Sequence, residues 1–161
     1  MTDAATVLRV LDAVRPADVW LAGGWGIDAL LGHRTREHRD LDLLHRRDQE
    51  DAVLEALSAL GYRETLDLRP VRFVLSDGDG DLDLHPLVFA EDGSAVQAAD
   101  DHGGTFPYPA DSFVTGRILG VPVPCLSVAQ QVFFHQGYEP QPHDLADMRH
   151  LREAFKVETH F

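Results

Sequence analysis

Two short segments decide the fold of this chain: Gly23-Gly-Trp-Gly-Ile-Asp-Ala-Leu-Leu-Gly32 and Asp40-Leu-Asp-Leu-Leu44. The apolar run Asp18-Val-Trp-Leu-Ala22 before the glycines predicts a buried strand, and the residues after Gly24 predict a helix. The second segment alternates polar and apolar side chains, a pattern typical of a half-exposed strand. A glycine turn between a strand and a helix presents free backbone N–H groups, which can bind phosphate oxygens.

The alternation places the side chains of Asp40 and Asp42 on one face of the predicted strand. Their Cα atoms are expected roughly 6.5–7 Å apart, from two residues at a rise of ~3.3 Å each. Two carboxylates at that separation can share a divalent cation such as Mg²⁺, which prefers oxygen ligands. An amphipathic edge strand with a solvated acidic face has the same pattern, so the pair alone does not establish a metal site.

A third acid follows in Asp81-Leu-Asp-Leu-His85, where Asp81, Asp83 and His85 share one face of another predicted strand. If this strand pairs beside Asp40–Leu44, a third carboxylate can reach the same metal ions. Either aspartate satisfies that geometry.

The rest of the pattern predicts helices packed on one mixed sheet, an α+β (mixed α/β) fold. Helices are expected over 6–14, after a cap at Asp48, from Ser127 and near 143–155. Strands are expected at about 62–68, 71–76, 81–89, 113–119 and 121–126, with a loop-rich stretch from 90 to 112. No linker divides the chain, so we expect a single domain over 1–161, with a core of about 1–90 and a C-terminal hairpin and helices over about 113–155.

Acidic side chains exceed basic ones, and the formal net charge is −13. Such a surface repels nucleic acid and anionic membranes and suits a cationic or neutral small substrate. No apolar run approaches the ~20 residues of a membrane span. The lone cysteine, Cys125, favours a reducing compartment, so a cytoplasmic location is expected.

The glycine turn, the helix, the Asp-x-Asp pair and the later acid together resemble the polymerase β-type nucleotidyltransferase superfamily. Within it, the chain is most similar to antibiotic nucleotidyltransferases, represented by aminoglycoside 2''-adenylyltransferase and the small lincosamide nucleotidyltransferases. That similarity lies in Gly23–Gly32, Thr35-Arg36, His38 and Asp40-Leu-Asp42. Asp83-Leu-His85 and Phe134-His-Gln-Gly-Tyr-Glu-Pro140 favour the lincosamide branch, and the resemblance extends from about Trp20 to Phe155.

The resemblance implies that Asp40, Asp42 and Asp83 are the catalytic carboxylates and hold two Mg²⁺ ions. It selects Asp83 over Asp81, and leaves open whether Asp83 is the base or only a metal ligand. Gly23 and Gly24 are expected to face the triphosphate of ATP or another nucleoside triphosphate. Such enzymes transfer the nucleotidyl group to a hydroxyl of the drug and release pyrophosphate.

Other candidates surround these residues. Arg36 is expected either to bind phosphate oxygens or to pair with Glu37 or Asp40, and His38 is a candidate for orienting a carboxylate. His85 is a candidate either for the acceptor site or for a structural hydrogen bond. Three further acceptor-side candidates follow from the resemblance: His135, Tyr138 and Glu139.

The acceptor is expected to be a lincosamide. The alternatives are an aminoglycoside, another small molecule or a protein, and a module that binds a nucleotide without catalysis. We also consider a homodimer whose two copies share a cleft, because 161 residues are few to enclose a drug-sized ligand.

Overall fold

The computed structural model describes residues 1–161 as nine strands and five helices. The strands are β1 (Val19–Ala22), β2 (Asp40–Arg46), β3 (Arg63–Leu68), β4 (Arg72–Ser76), β5 (Asp81–Phe89), β6 (Ala95–Ala98), β7 (Thr105–Tyr108), β8 (Phe113–Ile118) and β9 (Val121–Leu126). The helices are α1 (Ala4–Ala13), α2 (Gly23–Leu31), α3 (Glu50–Ala59), α4 (Val128–Phe134) and α5 (Pro142–Phe155). None of these helices is long and apolar enough to cross a membrane.

All nine strands belong to one mixed sheet, whose main order is β3-β4-β5-β2-β1-β9-β8. The two central strands, β2 and β5, are parallel, and β1 is antiparallel to β2. Strand β5 pairs with β4 along its first half and with β6 along its last residues. Strand β7 pairs with the other edge of β6, so β6 and β7 form a hairpin. The fold is therefore α+β, with the predicted Asp-x-Asp strand at the centre of the sheet.

The main hydrophobic core lies between one face of the sheet and helices α1 and α3. Leu41 and Leu43 of β2 are fully buried there, in the same cluster as Val10 of α1 and Leu57 of α3. Because successive strand residues point to opposite faces, the burial of these leucines directs Asp40 and Asp42 to the other face.

Helix α2 lies close against the sheet because two glycines remove side chains from the contact. A Cβ on Gly26 would lie 2.9 Å from the carbonyl oxygen of Leu21, and one on Gly116 would lie 2.5 Å from that of Ala29. This close packing holds the N-terminus of α2 at the end of β1, beside the carboxylates of β2.

Most predicted elements are confirmed to within two residues; the structure adds one hairpin, and one predicted helix cap was wrong. The stretch 90–112 contains the β6–β7 hairpin, whose four-residue strands are too short to give a clear alternation. Asp48 does not cap α3: it lies in a 3₁₀ turn over Arg47–Gln49, and the helix begins at Glu50. That extra turn lets Oε1 of Gln49 accept the backbone N–H of Asp18 at 2.8 Å.

A buried histidine makes the stability of this fold depend on pH. The side chain of His45 is fully buried, its Nε2 lies 2.9 Å from Glu50 Oε1, and its Nδ1 has no partner. Burial lowers the pKa of His45, and its effect exceeds that of the Glu50 carboxylate; His85 and the Arg69 guanidinium act in the same direction as burial.

We therefore expect the free energy of unfolding to fall as the pH drops below about 6.5, the ordinary pKa of histidine. Below that pH the unfolded chain binds a proton at His45 that the folded chain does not, so the free energy of unfolding falls by up to about 1.4 kcal/mol per pH unit. Urea unfolding at pH 7.5, 6.5 and 5.5 measures this, with His45→Gln, which retains a donor for Glu50, as the comparison. Equal pH dependence in both proteins would contradict the assignment.

Candidate active site

The parallel register of β2 and β5 brings the predicted carboxylates together. Asp42 lies directly opposite Asp83, and Asp40 lies opposite Asp81. Ligand atoms of Asp42, Asp83 and His85 all lie within 4.8 Å of one another. Nε2 of His85 is 3.3 Å from Oδ1 of Asp42 and 3.7 Å from Oδ1 of Asp83. The predicted pairing of the two strands is confirmed, and it makes Asp83 rather than Asp81 the neighbour of Asp42.

The two oxygens of Asp83 have different surroundings. Oδ2 accepts a hydrogen bond of 3.0 Å from Nη1 of Arg72, on the adjacent strand β4. Oδ1 is buried and has no hydrogen-bond partner. Burial raises the pKa of the Asp83 carboxyl, with added repulsion from Asp42, whereas His85 and Arg72 oppose the rise. An unpartnered buried carboxylate oxygen facing a second carboxylate fits a hard divalent cation such as Mg²⁺.

Asp40 stands apart from this group. It begins β2, and its side chain is not among those within 4.8 Å of one another. Burial raises the pKa of the Asp40 carboxyl, and repulsion from Asp42 and Asp83 raises it further. A cation bound nearby would relieve that repulsion.

The glycine turn leaves room for these side chains. Gly23 has φ +58°, and a Cβ there would overlap Oδ2 of Asp42. A Cβ on Gly24 would overlap the His38 ring and lie 2.7 Å from Nη2 of Arg36. Ala22, at the N-cap of α2, provides no side-chain hydrogen bond to the first helical N–H groups, so no cap competes with phosphate oxygens for them.

A buried network fixes the loop between α2 and β2. Asp28 accepts hydrogen bonds from the backbone N–H of Thr35 at 3.3 Å and from its hydroxyl at 2.7 Å. The other oxygen of Asp28 lies 2.6 Å from Nε2 of His38. The ring of Trp25 packs on His38 with centroids 4.6 Å apart. His38 thus orients a carboxylate, as predicted, and that carboxylate belongs to Asp28.

Arg36 pairs with a residue that was not among its predicted partners. Its Nε and Nη2 lie 3.2 and 3.0 Å from the two carboxylate oxygens of Asp147 in α5. Neither the Glu37 carboxylate nor Asp40 forms an ion pair with it; only the carbonyl oxygen of Glu37 accepts from Nη1, at 3.2 Å. The expected pairing with Glu37 or Asp40 was wrong because α5, 111 residues away in sequence, folds over this loop.

Two cavities meet at this site. The larger cavity has a volume of about 740 Å³, and we call it the polar cavity because only one of its 13 lining residues is hydrophobic. The lining residues include Gly24, Arg36, His38, Asp40, Asp144 and Asp147. The smaller, of about 210 Å³, we call the apolar cavity; it is lined by residues that include Leu44, His85, Phe106, Tyr108, Leu126 and Phe134. Gly23, Asp42 and His135 line both cavities.

The three acceptor-side candidates near the C-terminus have different positions. Nδ1 of His135 lies 2.6 Å from the Gln131 carbonyl, which places the ring at the junction of the cavities. Tyr138 packs on Phe161, with ring centroids 5.0 Å apart, and lines neither cavity. Burial, and then the neighbouring Asp144 carboxylate, raise the pKa of Tyr138 to about 12. Glu139 is exposed and also lines neither cavity.

Three side chains of the site were not predicted from the sequence: Arg72, Gln97 and Tyr108. The last two belong to the hairpin that the composition of 90–112 did not reveal, and they form a buried hydrogen bond of 2.6 Å. The alternation of Arg72-Phe-Val-Leu-Ser76 was a signal for Arg72, since it places Arg72 and Val74 on one face and Val74 lies opposite Asp83.

The fold and the two facing carboxylates beside a glycine turn are those expected of a nucleotidyltransferase. Residues 5–151 match the family model of aminoglycoside-2''-adenylyltransferase, and the chain belongs to that family. The predicted resemblance to antibiotic nucleotidyltransferases is thereby confirmed.

Two relatives and two solved structures extend the comparison. The chain is 35% identical over 134 residues to a lincosamide resistance protein of Staphylococcus haemolyticus, covering 83% of each protein. It is 33% identical over 150 residues to a 2''-aminoglycoside nucleotidyltransferase of Escherichia coli, covering 89% of this chain and 79% of the relative.

The lincomycin-bound crystal structure of the lincosamide antibiotic adenylyltransferase LnuA superposes with a TM-score of 0.78 at 32% identity, over 91% of this chain and 92% of that one. The complex of ANT(2'')-Ia with adenylyl-2''-tobramycin gives a TM-score of 0.74 at 24% identity, over 96% and 90% of the two chains, which shows the shared fold.

Proposed function

We propose that this protein transfers AMP from ATP, or another nucleotidyl group from its triphosphate, to a hydroxyl of a lincosamide antibiotic and releases pyrophosphate. The observation that carries the proposal is the meeting of a polar and an apolar cavity at Asp42 and Gly23. The lincosamide resistance relative and the structural similarity to LnuA support the same acceptor class.

The polar cavity suits the nucleoside triphosphate. Gly23 and Gly24 place the first turn of α2 at its wall, where backbone N–H groups can bind phosphate oxygens. Arg36 contributes a cationic side chain to the same wall. Asp40, Asp42 and Asp83 would hold two Mg²⁺ ions. When bound, these ions neutralise phosphate charge and lower the pKa of the attacking hydroxyl.

The reaction is a direct displacement at the α-phosphorus. The acceptor hydroxyl, positioned in the apolar cavity, forms the new O–P bond as the bond to the β-phosphate breaks. Asp83 would either accept its proton or only hold a metal ion; Oδ1 of Asp83 has no hydrogen-bond partner, and burial raises the pKa of its carboxyl. Arg72 holds the other oxygen of that carboxylate at 3.0 Å, so that Oδ1 keeps its direction. Alignment of the two substrates contributes the largest share of the rate.

The lining of the apolar cavity favours an acceptor with an apolar portion. Six of its 12 lining residues are hydrophobic, and Asp42 is the one carboxylate among them. A polycationic acceptor would require more anionic partners than this wall provides. The hydrophobic lining therefore supports a lincosamide over an aminoglycoside.

An aminoglycoside remains the second candidate, because Glu37 and Asp144 add negative charge to the polar cavity, whereas Asp147 is paired with Arg36. The family model and the relative from Escherichia coli support that alternative.

The proposed single domain over 1–161 is supported by the site itself, which combines β2 and β5 from the first part of the chain with α4 and α5 from the last.

The test is pyrophosphate release from ATP with Mg²⁺ across a panel of lincosamides and aminoglycosides. We expect release with a lincosamide and a product heavier than the drug by one AMP group. Parallel reactions with GTP, CTP and UTP define the nucleotide. Release with aminoglycosides alone would replace the first candidate by the second. If no compound of the panel causes pyrophosphate release, although calorimetry detects ATP binding, an antibiotic acceptor is contradicted.

A further inference from the structure

A buried polar chain connects the wall of the apolar cavity to the carboxylates. The hydroxyl of Tyr108 lies 2.6 Å from Oε1 of Gln97, and Nε2 of Gln97 lies 3.3 Å from Nδ1 of His85. Nε2 of His85 then lies 3.3 Å from Oδ1 of Asp42. Tyr108 is 2% exposed and Gln97 is 8% exposed, so each of their polar groups needs a protein partner.

The direction of each hydrogen bond follows from the donors available. Burial raises the pKa of Tyr108, which keeps its hydroxyl protonated, and Gln97 Oε1 is the acceptor within reach of that proton. Donation by Tyr108 fixes the amide of Gln97 with its NH₂ group towards His85. Nδ1 of His85 must then accept, because a proton there would face another donor. The proton of the imidazole is therefore on Nε2, facing Asp42.

In this tautomer, Nε2, the ring nitrogen that faces Asp42 and Asp83, cannot bind a metal ion. A metal-bound histidine nearly always donates its second ring N–H to a carboxylate or carbonyl oxygen, whereas here the second nitrogen accepts from an amide. An Nε2 that carries a proton has no lone pair for a cation.

We propose that Tyr108 and Gln97 are positioning residues that hold His85 as a hydrogen-bond donor to Asp42 and so exclude it from metal coordination. The metal site then contains oxygen ligands alone, which favours Mg²⁺ over Zn²⁺, an ion that binds imidazole readily. This consequence for the metal rests on the proposed function, because it takes Asp42 and Asp83 as the metal ligands.

Nitrogen-15 NMR of the metal-free protein at pH 8.5, where imidazole is ordinarily neutral, tests the tautomer directly. The His85 signals are assigned by their loss in His85→Gln. We expect a protonated, pyrrole-type shift at Nε2 and an unprotonated, pyridine-type shift at Nδ1. A proton on Nδ1, alone or together with one on Nε2, would overturn the proposal.

Gln97→Glu tests the role of the amide. A carboxylate accepts from Nδ1–H, so the proton moves to Nδ1 and the lone pair of Nε2 faces Asp42 and Asp83. We expect Zn²⁺, measured by competition with a chromophoric chelator, to bind about 10- to 100-fold more tightly than in the wild-type protein. The double variant Gln97→Glu/His85→Gln should lose that gain. A folded Gln97→Glu protein with unchanged Zn²⁺ affinity would overturn the proposal.

Tyr108→Phe is the milder second variant, because it removes the hydroxyl that fixes the amide and leaves the ring in place. We expect a mixture of the two His85 tautomers in its NMR spectrum, and the wild-type tautomer alone would overturn the role of Tyr108. These chemical shifts and Zn²⁺ affinities require neither nucleotide nor acceptor. A silent transfer assay would therefore contradict the proposed function and leave this inference standing.

Discussion

Asp42→Asn is expected to lower the rate of nucleotidyl transfer about 10³-fold or more, because it removes one of the two facing carboxylates that would hold Mg²⁺. That loss corresponds to roughly 4 kcal/mol of transition-state stabilisation. The fold should persist, since asparagine has the same shape and its oxygen still accepts from Nε2 of His85, 3.3 Å away. Single-turnover transfer and circular dichroism measure the two expectations.

Asp81→Asn is the matched control. Asp81 lies on the same strand face as Asp83, is exposed, and stays outside the group of converging ligand atoms. We expect less than about a twofold change in transfer from it, in line with a surface substitution. Retained activity in Asp42→Asn would remove the metal hypothesis. A loss in Asp81→Asn as large as that in Asp42→Asn would show that overall charge, not position, matters.

The second large effect is expected from Gly23→Ala, with transfer reduced about 100-fold. The new Cβ would overlap Oδ2 of Asp42, so the carboxylate must move, and misplacement by about 1 Å costs on the order of 10² in rate. The positive φ of +58° adds roughly 1–2 kcal/mol of backbone strain in the folded state. Both kcat and the free energy of unfolding in urea are measured.

Gly32→Ala separates the two causes. Gly32 also has a positive φ, +81°, but a Cβ there would meet nothing within 4 Å. This variant should therefore lose stability through strain alone and keep its kcat. If both variants lose activity equally, the approach of Asp42 to Gly23 has no part in catalysis.

The sequence predicts the centre of this site because the relevant signals are local. The alternation of Asp40–Leu44 fixes which side chains face the core, and the same alternation in Asp81–His85 presents a matching face. Parallel pairing of two such strands leaves few registers, and the burial of Leu41 and Leu43 excludes a shift by one residue. Gly23-Gly24 likewise marks a turn that a larger residue would obstruct.

The surroundings of the carboxylates were harder to predict because they depend on long-range contacts. Arg36 and Asp147 are 111 residues apart in sequence, and the residues around either one do not predict the other as its partner. Gln97 and Tyr108 lie on four-residue strands, too short for periodicity to distinguish from loops. Their hydrogen bond to each other and the contact with His85 arise only when β6 pairs with the end of β5.

The wall shared by the two cavities also limits how such a protein can change under selection. Gly23, Asp42 and His135 line both cavities, so under the proposed function a substitution there that admits a new acceptor also disturbs the nucleotide. Phe106 faces the apolar cavity only, from a hairpin at the margin of the sheet. Under the proposed function, a change in the range of acceptors should therefore begin in that hairpin, because a new side chain there leaves the polar cavity unchanged.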